Sequence, residues 1–258
     1  MSWASKRKAA YASGVTLFFV TLIGGPLAYW YFSIPATCTD GIQNQSETAA
    51  DRGGPCPLLD DRALTPAGLL WTRSFRVRDG SYNALAYLQN PNSEAGVRAV
   101  KYRFGLYDER NVLVAEKEGT TFIMPGSITP VLEAAIDTGS RIVSHTYFEF
   151  VSSPKWERLE DTSSDIVISD TAISDTNTVP RLTASVRNSS VRGMRDVRFV
   201  AIVSDPAGNA FAASQTALPL LGAGEKQEIT FTWPSSFNVS IGRVVVLPLL
   251  APEQPRGF

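Results

Sequence analysis

The chain has 258 residues with 24 basic and 25 acidic side chains, and a formal charge of −1 leaves no long-range field of the kind a general nucleic-acid or polyanion binder uses. With one membrane-length apolar segment near the N-terminus set aside, the remaining length holds one large or two ordinary domains, and two is the better fit. Val, Thr, Ser and aromatic residues are abundant, and no long run of Ala, Glu and Lys recurs at helical spacing, which favours β structure outside that segment.

Residues 1–8 read as a short cytoplasmic end closing on Lys6, Arg7 and Lys8. The stretch 9–32 holds no charged side chain, and 24 residues at about 1.5 Å rise reach roughly 36 Å, enough to cross a hydrocarbon core with some tilt. The first cation beyond it is Arg52, preceded by Asp40, Glu47 and Asp51, so the charge bias predicts an N-terminus inside and everything after the helix outside the cytoplasm. Tyr29, Trp30, Tyr31 and Phe32 form an aromatic cluster suited to the headgroup level, and Pro35 stops the helix. A cleaved signal peptide is the alternative; against it, the apolar run exceeds the usual ~7 to 15 residues, and a cut after Ala36 sets bulky Ile34 where a small residue is wanted. Lipidation at Cys38 is disfavoured by the preceding Pro35, Ala36 and Thr37. Gly14, Gly24 and Gly25 permit close helix contacts without composing a clear dimer motif.

Residues 33–66 read as a juxtamembrane linker. The chain's two cysteines, Cys38 and Cys56, both fall there, on the side where disulfides persist, so they are expected to pair. Closing a loop of this size contributes about 3 kcal/mol to local order in the chain-entropy model, in a segment too polar to hold itself together. The enclosed CTDGIQNQSETAADRGGPC resembles a Cys-Asp-Gly, Asn, Glu, Asp-Gly-Gly, Cys module of bacterial surface proteins. Related copies carry a further cysteine where this chain has Arg52, so the resemblance brings over neither a second bridge nor a thiolate metal site. Asp40, Asn44, Glu47 and Asp51 supply the oxygen ligands a hard cation such as Ca²⁺ needs, although their spacing is not that of an EF-hand; the competing reading makes them solvated turn residues.

Beyond Cys56 the pattern becomes period two. Val100, Tyr102, Phe104 and Leu106 alternate with Lys101, Arg103 and Gly105; Leu182, Ala184 and Val186 alternate with Thr183, Ser185 and Arg187; Ile229, Phe231 and Trp233 alternate with polar residues. The halves superimpose. ALAYLQN, ending at Asn90, matches LTASVRN, ending at Asn188, and the strands closing on Asp108 and Asp205 match likewise, at offsets of 98 and 97. So long a period points to a duplicated sandwich, over 67–155 and 163–251, with a boundary in the polar PKWERLEDTSSD stretch. The expected fold is therefore all-β, two tandem immunoglobulin-like β-sandwich domains after a single N-terminal transmembrane helix. Phe104, Leu106, Tyr107 and Asp108 within FGLYD, together with Asn90, Pro91 and the Pro125–Gly126 turn, resemble FxLYD-type domains, immunoglobulin-like sandwiches of exported and membrane-anchored prokaryotic proteins. The resemblance spans 70–150; in the second half only Asp205 and its turn survive. It implies no catalytic residue. The alternation places Phe104 and Leu106 in the core, and Asp108 suits the closing of a turn.

Motifs for chemistry are absent. The single histidine, His145, has no second histidine or free cysteine to form a zinc site and no Gly-x-Ser-x-Gly to serve. Gly-rich phosphate loops do not occur, and the carboxylate pairs Glu109/Glu116 and Glu157/Glu160 lie in polar turns or linkers. Trp71, Trp156 and Trp233 could stack on sugars if exposed; the pattern puts Trp233 in the core and Trp156 between the domains. The expectation is a non-enzymatic scaffold or interaction protein of the cell envelope, without cofactor, held in the membrane by one helix and engaging an envelope protein or a second copy of itself. A calcium-responsive stalk and a carbohydrate-binding module are the rivals.

Overall fold

The computed structural model describes residues 3–33, 37–44 and 46–252, without the side chains of 4–6, 32 and 33. The expectations resting on Ile34, Pro35 and Ala36, and on the side chains of Lys6 and Phe32, lie outside the described residues. The chain divides into two compact units, Met1–Asp60 and Asp61–Phe258.

In the first unit, α1 (Trp3–Ser33) begins six residues earlier than the uncharged stretch, because Arg7 and Lys8 are helix-compatible and Arg7 lies over the Trp3 ring at 4.0 Å. Its span from Arg7 to Tyr31 has a mean hydropathy of 1.5 and is exposed among the described residues. Pro26 sits inside the helix and supplies no N–H to the Leu22 carbonyl, a defect that membrane helices tolerate and soluble ones seldom do. Beyond α1, Cys38 and Cys56 are disulfide-bonded, with Cα atoms 5.5 Å apart, as their count and setting predict.

The second unit is built of antiparallel strands: β1 (Gly68–Arg78), β2 (Ser81–Gln89), β3 (Ala95–Tyr107), β4 (Leu113–Ile123), β5 (Ile128–Asp137), β6 (His145–Phe150) and the short β7 (Glu157–Arg158), then β8 (Ile166–Ser174), β9 (Arg181–Asn188), β10 (Met194–Ser204), β11 (Ala210–Leu221), β12 (Lys226–Thr232) and β13 (Arg243–Leu249). One sandwich pairs the sheet β1-β2-β5 with β4-β3-β6, and β7 adds to the start of β3. The other pairs β8-β9-β12 with β11-β10-β13, the same order strand for strand. The polar stretch between the halves is not wholly irregular, since β7 and a 3₁₀ turn at Ser163–Asp165 occupy it.

Each sandwich has its own core. Ala84, Ala86, Phe104 and Leu106 fill the first, and Leu182, Val186, Phe199 and Phe231 fill the second. A further apolar cluster joins the two: Phe75, Leu85, Phe122 and Met124 of the first half meet Val200, Ile202, Ala213 and Leu249 of the second. The outer face of β1-β2-β5 thus packs on the outer face of β11-β10-β13, giving four stacked sheets with three apolar interlayers. This stacking explains why β2 and β10 lose strict alternation. Leu85, Val200 and Ile202 are as buried as their inward-facing neighbours because both sides of their sheets are covered. The remaining faces are polar, with Lys101 and Arg103 on β3 and Thr183, Ser185 and Arg187 on β9, so the stack ends at two sandwiches.

Candidate functional site

Four sequence-selected oxygen donors converge in the disulfide loop. Asp51, in the left-handed region at φ = 57°, directs its two carboxylate oxygens at the N–H groups of Asp40 and Gly41, both at 2.9 Å. Asp40 accepts from the Ile42 N–H at 2.8 Å, the Asn44 side-chain amide at 3.0 Å and the Thr37 hydroxyl. The Thr37 hydroxyl and then the Ile42 N–H hold the Asp40 carboxyl below the usual range. Glu47, only 6% exposed, accepts the N–H groups of Asn44 and Asp51 at 3.2 and 3.3 Å and lies 3.1 Å from the bridged sulfur of Cys56. The three carboxylates therefore act as acceptors that tie one side of the loop to the other. The Asn44 side-chain carbonyl is enclosed and has no partner among the described residues; it is one oxygen, where Ca²⁺ takes six to eight.

The FGLYD strand supplies a second constellation. Phe104 and Leu106 are fully buried, and Phe148 packs edge-on to Phe104 at 5.1 Å. Asp108 caps the following turn, its Oδ1 accepting the N–H groups of Arg110 and Val112 at 2.9 and 3.0 Å, while Arg141 pairs with Oδ2. The Val112 N–H, and after it Arg141, keep this carboxyl below its ordinary value. Asp205 repeats the device, accepting the Asn209 N–H at 2.8 Å, and its carboxyl is lowered chiefly by that bond. Asn111 and Gly208 take positive φ at equivalent places, 59° and 86°. Tyr107 faces outward, edge-on to Tyr147 at 5.3 Å, across Gly105, where an added Cβ would meet the Tyr107 ring at 2.8 Å.

Sequence reasoning singled out Asn90 and Asn188 as matching strand ends, and Asn90 also in the FxLYD resemblance, without a role for either side chain. Both are buried, at 1% and 0% exposure, and each donates its amide to two main-chain carbonyls: Ala95 and Met124 in one sandwich, Arg192 and Leu221 in the other. Their polarity beside the turn was the available signal; its buried use follows from the fold.

His145 lines a cleft of about 500 Å³ between β1 and β6, together with Thr72, Arg73, Arg76, Tyr82 and Tyr147. Of the carboxylate pairs, Glu116 and Glu157 lie on β4 and β7 and not in turns or linkers, and each is in an ion pair, Glu157 with Arg98 at 2.7 Å and Glu116 with Arg103 at 3.3 Å. The tryptophans are not displayed. Trp233 is 7% exposed, Trp156 9% exposed, and Trp71 stacks on Tyr87 at 5.0 Å beside the joint between the sandwiches. Trp156 is not among the residues of that joint; it precedes β7, which binds its segment to β3 of its own sandwich instead.

No family model and no curated protein matches the chain. Among solved structures it is similar to pT26-6p (9% identity over 72% of this chain and 62% of that one, TM-score 0.23), to a yeast delta-COP-I mu-homology domain (12%, 68% and 76%, TM-score 0.22) and to CBD12 from CALX1.2 (14%, 67% and 77%, TM-score 0.23). The chain thus spans less than two-thirds of the length of pT26-6p. Likeness at these scores carries no argument about what the chain does.

Proposed function

We propose that the chain is a membrane-anchored, extracytoplasmic interaction or scaffold protein of the cell envelope, non-enzymatic, with sandwiches of the FxLYD type. The observation that carries this reading is α1, whose span Arg7–Tyr31 is long and apolar enough to cross a membrane and is exposed among the described residues. Leaving that surface in water is costly at about 25 cal/mol per Å², and a bilayer removes the cost. The disulfide and the acidic loop beyond α1 support placing the remainder on the oxidising side. The fused sandwiches suit a rigid presenting body, since an apolar cluster joins them and Arg73 and Asn83 donate across it to the Ala210 and Ala213 carbonyls.

The test is extraction and intact-mass measurement of the protein from membranes, with protease added to the outside of sealed cells. Retention of α1 together with digestion of the β unit supports the reading. A soluble mature chain starting beyond α1, or a β unit protected from external protease, overturns it.

A further inference from the structure

The two sandwiches repeat strand for strand, and they differ at the edge where β1 meets β6. Ala84 and Leu182 each stand six residues before the buried asparagine, and their partners on the neighbouring edge strand are Ser74 and Ile173. Leu106 and Val203 each stand two residues before the turn-capping aspartate, and their partners are Thr146 and Val244. Facing residues of a ladder share one side of the sheet, so all four partners lie on the inner face of their sandwich. In the second sandwich Ile173 and Val244, with Phe237 and Ile241, pack against the core and fill this edge. In the first, smaller and polar side chains stand there, and the cleft of about 500 Å³ takes the place of that filling.

Packing alone does not account for the exchange. The Thr146 hydroxyl is enclosed and has no partner among the described residues, where the valine of the other sandwich fills a similar volume at no polar cost. Tyr82, only 4% exposed, accepts the Val143 N–H at 3.3 Å, which leaves its own O–H to donate; its counterpart is Pro180. The cleft is braced, since the Thr72 hydroxyl donates to the Thr146 carbonyl at 2.8 Å and ties β1 to β6. Its lining contains no carboxylate. Arg76 faces Tyr82 on the β1-β2 ladder and so lies on the same side as Ser74, and its guanidinium pairs with Asp79. Both members of that pair are exposed, and such a pair is weak enough to yield to a competing anion. Arg73, on the opposite side, is committed to the Ala210 carbonyl at 2.7 Å.

We propose that this cleft is a binding site for a small sugar acid, whose carboxylate takes the place of Asp79 on Arg76 and whose hydroxyls accept from Ser74, Tyr82 and Ser144. One guanidinium without a carboxylate beside it in the lining selects a single negative charge. The hydroxyl donors select oxygen acceptors around that charge. A volume of this order belongs to an organic ligand and exceeds what a bare ion fills. A free sugar acid and one unit of an acidic glycan present the same groups to these residues. The site gives the β unit a ligand of its own, beyond anchoring and presentation.

The test is titration of the full chain in detergent micelles with glucuronate, with glucose and inorganic phosphate as controls. Glucuronate is expected to bind saturably at millimolar concentration. Glucose lacks the charge and phosphate lacks the hydroxyls, so each is expected to bind at least about tenfold more weakly. Arg76→Gln, at an exposed side chain that the fold does not need, is expected to weaken glucuronate at least about tenfold. Ser74→Ile/Thr146→Val writes the residues of the second sandwich into the first; it is expected to abolish binding while the urea unfolding midpoint holds or rises. Tighter binding of a glucuronate oligomer than of the monomer assigns the site to a glycan chain, and equal binding assigns it to the free sugar acid. Absence of saturable glucuronate binding, equal affinity for glucose or phosphate, or an affinity indifferent to Arg76→Gln or to Ser74→Ile/Thr146→Val overturns the proposal. None of these outcomes bears on whether α1 stays in the membrane, so the two readings fail separately.

Discussion

Leu85 provides the sharpest test of the four-layer stack. It lies on the outer face of β2, the side away from its own sandwich core, and it is nevertheless fully buried, against the second sandwich. If the sandwiches were independent beads on a linker, this face would be in water and Leu85→Ala would cost about 0.5 kcal/mol or less. In the stacked arrangement the substitution removes buried carbon and leaves a cavity that close-packed sheets on both sides fill only in part, so the expected loss is about 2 to 5 kcal/mol. The assay is urea unfolding in micelles followed by tryptophan fluorescence, with variants retaining either Trp71 or Trp233 in the β unit. Trp233 lies in the core of the second sandwich, remote from the deletion. Because the joint couples the halves, both reporters are expected to shift together by the same amount. A loss below about 0.5 kcal/mol, or a shift seen by Trp71 alone, would refute the stacked core as a cooperative element.

The buried asparagines should both prove costly to remove, Asn90 the more so. Asn90→Ala withdraws the amide donor from the Ala95 and Met124 carbonyls and Asn188→Ala from that of Leu221, the Arg192 carbonyl keeping the Ser190 hydroxyl, at a cost of about 1 to 3 kcal/mol per site in the same unfolding assay. In acid, Asp40, Asp108 and Asp205 have carboxyls lowered below the unfolded value. Their contribution is complete above about pH 4 and is lost as pH falls through the lower folded values, so stability followed by circular dichroism should be flat from about pH 7 to 5 and decline below about 4. Reduction of Cys38–Cys56 removes about 3 kcal/mol of loop closure; limited proteolysis should then cut within 38–56 first and leave the β unit intact. Calorimetry with millimolar Ca²⁺ is expected to give no heat, because the loop carboxylates already serve main-chain N–H groups; saturable heat that disappears in Asp51→Asn would restore the calcium reading.

The amino-acid sequence alone determined the features that depend on local order. The uncharged run 9–32 demands an apolar helix whatever follows it, two cysteines in one loop leave a single intramolecular pairing, and the alternation of Phe104 and Leu106 with Arg103 and Gly105 dictates a strand with one buried face. The duplication was legible as well, since Asn90 and Asp108 recur as Asn188 and Asp205 with their turns. What only the tertiary structure decided is where the second faces go. ALAYL and FVAIV carry apolar residues on both sides, and such a run reads alike whether its outer face meets a helix, a partner or another sheet. Here each covers the other, because burying two apolar sheet faces together removes both from water at once, and no local pattern states which distant surface is complementary.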